Sequence, residues 1–264
     1  QTIDAGATTL TGGVSGNSNN AIIQAPTQVI HVGGDLTLTG GNAAIGLTAG
    51  AGARIGGSGS PTNLTLTVDG NVNMTGGSTG NAAIGSTTLG STFPSNVTMV
   101  VGGDVTLNPG GGAGARIGSG PAAVVGGTIS VTAGGNIVMN SAAPGIGSYI
   151  LTTDTVTLSA NSITETAIAQ IQANQLTTST NSGANLTGVN AVSNFNATNS
   201  TSGSINLVNT APTLTITGIA QNGTAVGSNI AVTNSGAITT TGSIVAAGNG
   251  NIVGLFADNG VATI

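Results

Sequence analysis

The sequence predicts an all-β fold of the solenoid kind, and three observations carry that expectation. The first is an internal repeat. Val32-Gly33-Gly34-Asp35-Leu36-Thr37-Leu38 returns as Val68-Asp69-Gly70-Asn71-Val72-Asn73-Met74 and as Val101-Gly102-Gly103-Asp104-Val105-Thr106-Leu107. A fourth copy reads Ala133-Gly134-Gly135-Asn136-Ile137-Val138-Met139. The Asp/Asn anchor falls at 35, 71, 104 and 136, in steps of 36, 33 and 32 residues. A fixed period of about 20–50 residues is the signature of a repeat architecture. The second observation is local: each copy opens on a Gly-Asp or Gly-Asn corner, built from residues that tolerate positive φ, and continues in a short alternating run. The third is composition. The chain of 264 residues holds 46 Gly, 7 Pro, 2 Lys+Arg and 7 Asp+Glu. Disordered chains pair low hydrophobicity with high charge, whereas here hydrophobicity is ordinary and charge is nearly absent. Many corners and many short Thr/Val/Ile strands explain that mixture.

The elements follow in order. Residues 1–27 are Gly/Asn/Thr-rich and read as a lead-in or capping segment. Residues 28–150 hold the clear repeats. A strand precedes each corner, at 29–32, 64–68, 97–101 and 129–133. After the corner, Leu36, Val72, Val105 and Ile137 form one apolar column if the copies stack, and Leu38, Met74, Leu107 and Met139 form the next. Thr37, Asn73, Thr106 and Val138 then face outward. A third motif ends in Ile-Gly and predicts a column of Ile45, Ile84, Ile117 and Ile146, with an extra copy, Ala53-Arg54-Ile55-Gly56, inside the first repeat. Three strands per repeat suit a triangular coil. Spacing leaves open whether 32–36 residues make one large coil or more than one turn.

Residues 151–264 are degenerate coils, richer in Thr, Asn and Ser. Asn206, Asn229 and Asn251 are spaced by 23 and 22 residues, which suggests a tighter coil. Residues 163–176 read as strand–turn–strand rather than as an amphipathic helix, since a helix of that length is marginal. No linker-like shift divides the chain, so residues 1–264 read as one continuous solenoid domain. About 8–12 rungs at ~4.8 Å would give a rod of roughly 40–55 Å.

With these residues in view, the chain resembles the filamentous-haemagglutinin-like passengers of two-partner secretion adhesins and, more broadly, autotransporter-type solenoids. The Gly-Gly-Asp-Leu-Thr-Leu and Gly-Gly-Asn-Ile-Val-Met corners carry the resemblance. Residues 163–177, Gly203-Ser204-Ile205-Asn206-Leu207 and Gly236-Ala237-Ile238-Thr239-Thr240 add to it. The resemblance implies a right-handed parallel β-helix, export through an outer-membrane transporter, an extracellular or cell-surface location, and adhesion or fibre work. The amino-terminal secretion domain of such passengers is not found, and the chain starts at Gln1 without a Met. A processed chain or a fragment is therefore expected.

Composition also excludes. Neutralising phosphates needs Lys or Arg, so nucleic acid and anionic membrane surfaces are poor partners. No apolar run approaches 18 residues, so no helical span is expected. With no Cys there is no disulfide framework. Catalysis is hard to build. Glu165 is the only Glu, Asp4, Asp69, Asp154 and Asp258 look scattered, and no Ser/His/acid order or phosphate loop is present. No cofactor is expected.

The remaining candidates are weighed singly. Asp35, Asn71, Asp104 and Asn136 stack along one corner, and a calcium ladder is the functional reading. A column of Asx turns is the plainer one, and the Gly-Gly-x-Gly-x-Asp calcium nonapeptide is missing. Arg54 and Arg116 share the context Gly-Ala-Gly-Ala-Arg-Ile-Gly and either read a partner's carboxylate or sugar or cap a corner. His31 stands alone in an outward position. Seven Asn-x-Ser/Thr sequons, at Asn63, Asn73, Asn96, Asn185, Asn196, Asn199 and Asn222, offer glycosylation sites. Thr-x-Thr pairs such as Thr37/Thr39 and Thr65/Thr67 raise ice binding as a minor alternative. The columns considered for it, Thr37/Asn73/Thr106/Val138 and Thr67/Val100/Thr132, are irregular. The sequence thus points to a non-catalytic surface adhesin stalk that meets a host or neighbouring cell through glycan or protein. A self-assembling filament or sheath subunit is the alternative.

Overall fold

The computed structural model describes residues 1–13, 20–42, 52–57, 60–85, 93–120, 124–142 and 146–263, and it is a parallel β-helix. Every pairing between its strands is parallel, and each links one coil to the next. The first coil is Thr2–Ala5, Thr8–Thr11 and Ala21–Ile23, so the amino-terminal residues form a rung of the same kind as those that follow. The second is Thr27–Val32, Leu36–Thr39 and Ala53–Ile55, and the third is Thr62–Val68, Val72–Thr75 and Ala82–Gly85. Each coil has three faces, numbered here in chain order. The repeat of 32–36 residues is one large coil.

The second face shows the stacking most plainly. Its ladder runs Thr8, Leu36, Val72, Val105, Ile137, Ile163, Ala184, Ile205, Ile230 and Val253. These are ten rungs, which at ~4.8 Å each give about 43 Å from first to last. Coil length falls along the rod, from 36 residues (Leu36 to Val72) to 21 (Ile163 to Ala184, and again to Ile205). The shortening removes corners. Gln170–Thr180 pairs with both Tyr149–Leu151 and Thr155–Ala160, so one strand runs straight through what was a bend. Residues 163–180 are strand–turn–strand, with Ile163–Glu165 leading into Gln170–Thr180.

The core is a set of continuous apolar columns. Leu36, Val72, Val105 and Ile137 are all fully buried, as are Leu38, Met74, Leu107 and Met139 beside them. Alternation puts these residues inside and their neighbours outside. Burying one such side chain contributes about 1.5–3 kcal/mol, and each column is shared between adjacent coils. The third face departs from the expected column in two places. Ile84 and Ile117 stack, but Ile84 is preceded by Ile55, and Ile117 is followed by Ile150. Ile146 therefore lies outside the column, half-buried, and the inserted Ile-Gly copy supplies the rung in the second coil. Ile45 lies outside the described residues. Strand pairing, not the Ile-Gly motif, chooses between copies.

Glycine is required where this face turns. Gly85 and Gly118 stack, with φ of 118° and 92°. A side chain at Gly118 would press on the Leu151 carbonyl oxygen and on Ile129 Cδ1.

Candidate functional site

The Asp/Asn corner is a hydrogen-bonded ladder. Asp35 Oδ1 accepts the Asn71 backbone N–H at 2.7 Å and the Asn71 amide at 3.1 Å. Asn71 Oδ1 accepts the Asp104 N–H at 2.9 Å, and Asp104 Oδ1 accepts the Asn136 N–H at 2.6 Å. Asn136 Oδ1 then accepts the Ser162 hydroxyl at 2.7 Å. Each side chain satisfies a donor of the next coil, which is the work of an Asx corner. Asp35 and Asp104 stand two coils apart in this ladder. Among the described residues, no group of three or more His, Cys, Asp or Glu is arranged to hold a metal ion.

The lone histidine is not alone. His31 Nδ1 lies 2.8 Å from Asp4 Oδ1 and Nε2 lies 3.2 Å from Asp69 Oδ1. Stacking of the first three coils brings together two acids that look scattered in sequence. Hydrogen bonds to Asp4 and then to Asp69 raise the imidazole pKa above 6.5. The cluster is exposed, so it tunes surface charge.

The two arginines share one column on the third face, Arg54–Ala83–Arg116. Arg54 Nη2 donates to Asn20 Oδ1 at 2.6 Å. Arg116 is 3 % exposed, and burial followed by repulsion from Arg54 lowers its pKa to about 10. It stays protonated at neutral pH and is not placed to read a partner at the surface. Asp154 is used locally: Oδ2 accepts the Gly127 N–H at 2.8 Å.

Glu165 is the group sequence reading undervalued. It follows Met139 in the inner column of the second face and is 4 % exposed. Oε2 accepts the Asn190 amide at 2.8 Å and the Gly188 N–H at 3.1 Å. Oε1 is buried without a hydrogen-bond partner among the described residues. Burial outweighs both hydrogen bonds and pushes the carboxyl up to about 7. The signal was available: Ile163-Thr164-Glu165 aligns with Ile137-Val138-Met139, which places the acid inside.

Of the seven sequons, Asn63, Asn96, Asn185 and Asn222 are exposed and Asn73 and Asn196 half-buried. Asn199 is a correction. It is fully buried, its amide donating to Gln221 Oε1 at 2.9 Å and its oxygen accepting the Gly183 N–H at 2.8 Å. A glycan there would have no room in the folded coil.

The largest apolar cleft, about 610 Å³, lies in the last coil and is lined by Ile244, Ile252, Val253, Leu255 and Phe256. Comparison with known proteins adds no relative. No family model, no curated protein and no solved structure matches the chain.

Proposed function

We propose that this chain is a non-catalytic stalk segment of a bacterial cell-surface adhesin, a rod that holds a binding tip away from the cell. The observation that carries the reading is the unbroken parallel ladder of ten second-face rungs, a stiff spacer about 43 Å long. The resemblance of its corners to adhesin passengers supports the same role, as does its sparing use of charge. A weakly charged surface sets up little long-range repulsion and leaves contact to short-range chemistry. The partner in this reading is a glycan or protein on a host or neighbouring cell, reached after export through an outer-membrane transporter.

A filament subunit is the second reading, favoured by the last coil. Ile252, Phe256 and Val261 are well exposed there around the apolar cleft, a surface suited to further strands of a second copy or of more chain. Electron microscopy of the natively secreted protein, with light scattering at the same concentrations, separates the two. Short rods at every concentration that bind cells support the stalk. Ordered fibres with an axial repeat near the rod length replace it with the filament.

A further inference from the structure

The three faces do not present the same chemistry. On the first face, the outward residues of five successive coils are Thr65 and Thr67, Thr98 and Val100, Ser130 and Thr132, Thr157 and Ser159, and Thr177 and Ser179. Nine of these ten positions carry a hydroxyl. The same coils on the second face show Asn73, Thr75, Thr106, Asn108, Val138 and Thr164, and the third face shows Ala83, Arg116, Tyr149 and Gln170. A Thr-rich composition alone would have enriched all three. The columns that look irregular in the sequence do so because they combine two faces and omit Thr65, Thr98, Ser130, Thr157 and Thr177.

We propose that this first-face array is an ice-binding surface, whose ligand is the crystalline water lattice. Its register is unbroken over those five coils, and the first shift on this face comes between Phe195 and Asn196, below the array. Hydroxyl rows therefore repeat at ~4.8 Å between rungs and about 6.7 Å along each strand. Both spacings are close to oxygen repeats in hexagonal ice. Threonine suits the task because its β-branch stiffens χ1, so hydroxyl and methyl are held in place before contact and little ordering entropy is lost.

The hydroxyls are also available. Among the described residues, eight of the nine make no hydrogen bond within the chain; Thr177 Oγ1 alone accepts one, from Gln175 at 3.4 Å. None of the ten positions is charged, so no ion holds its own disordered hydration there. The nearest charged cluster, His31 with Asp4 and Asp69, sits at the upper margin. No aromatic ring is among the ten for a sugar to stack on, and no cation for an anionic partner. Water ordered as a solid is the ligand that a flat, neutral, hydroxyl-and-methyl lattice fits.

The proposal adds a ligand to the rod and does not depend on the stalk reading. Its test is partition into a slowly growing ice front, with thermal hysteresis measured at millimolar protein. The wild type is compared with the paired variant Thr98→Asp/Thr132→Asp and with Thr106→Asp on the second face. All three positions point outward, and circular dichroism checks that each variant keeps its β signal. The expected result is that wild type and Thr106→Asp enter the ice and shape it, while the first-face variant loses about tenfold or more, equivalent to roughly 1.4 kcal/mol. A folded wild type excluded from ice overturns the proposal, as does equal loss in Thr106→Asp. First-face variants that change only self-association, with no ice activity in the wild type, assign the array to contact between copies instead.

Discussion

Glu165→Gln is the substitution that isolates one buried charge from an otherwise neutral core. Folding raises the Glu165 carboxyl from 4.5 to about 7, with burial as the main cause. The sign follows from linkage. Below pH 4.5 the group is protonated in folded and unfolded chains alike, and its contribution to stability is complete. Between 4.5 and about 7 the unfolded chain loses the proton and the folded chain keeps it, so stability falls as pH rises. Each pH unit costs about 1.4 kcal/mol, and the window of ~2.5 units gives a loss of about 3 kcal/mol, reached above pH 7. Gln keeps an oxygen for Asn190 and Gly188, and its unpaired NH₂ replaces the unpaired O–H of the protonated acid. The variant should therefore match the wild type near pH 4 and exceed it by about 3 kcal/mol at pH 8. At roughly 2–4 °C per kcal/mol for a chain of this size, that is a gain of about 6–12 °C in melting temperature. Because solenoid coils open locally, amide exchange at Gly188 and at Ile171, whose N–H is held by Asn190, reads the same change at the site. Melting curves of wild type and variant that stay parallel from pH 4 to 8 would refute the reasoning.

Three further outcomes are expected. Gly118→Ala should destabilise by several kcal/mol, since φ is 92° and the new methyl meets the Leu151 carbonyl and Ile129, whereas Gly111→Ala, with only Ser78 at 3.9 Å, should be near neutral; paired thermal melts compare them. Asn209→Ala should cost about 2–4 kcal/mol in denaturant unfolding, because it leaves the Val192 N–H and Asn234 Oδ1 without their partners in a buried corner. NMR titration of His31 should give a pKa above 6.5, with Asp4→Asn lowering it more than Asp69→Asn, in line with contacts of 2.8 and 3.2 Å.

Legibility in the sequence followed the strength of the period. Where coils run 32–36 residues, the Gly-Asp/Asn corner recurs so regularly that two core columns and the corner ladder could be written down from Leu36 to Met139. The Ile-Gly motif misled because it recurs inside glycine-rich stretches. Ile55 and Ile150, not Ile45 and Ile146, fill the expected places, since strand pairing is fixed by the coils above and below. Asn199 reads as a sequon because three residues carry no information about which face they occupy. The cluster of Asp4, His31 and Asp69 spans three coils, so only stacking could assemble it.

Where the coils shorten, the order that the corners gave up is restored from inside. Ala184–Asn199 runs 16 residues through two former bends, and a strand of that length with alternating small residues has little to oppose a slip of two. Buried amides supply what is missing. Asn190, Asn209 and Asn234 stack in one column and Thr180, Asn199 and Gln221 in another, at the flanks of the long strands. Asn209 donates to Asn234 Oδ1 at 2.9 Å, and Asn199 donates to Gln221 Oε1 at 2.9 Å. A slipped register would pair these groups with alkyl columns and leave each one desolvated without a partner, at about 1–3 kcal/mol apiece. Apolar columns reward any stacking of similar coils; the amide columns reward one. Glu165 stands at the head of the first of these columns, bonded to Asn190, which places the pH-sensitive acid at the junction between the corner-ordered and the amide-ordered halves of the rod.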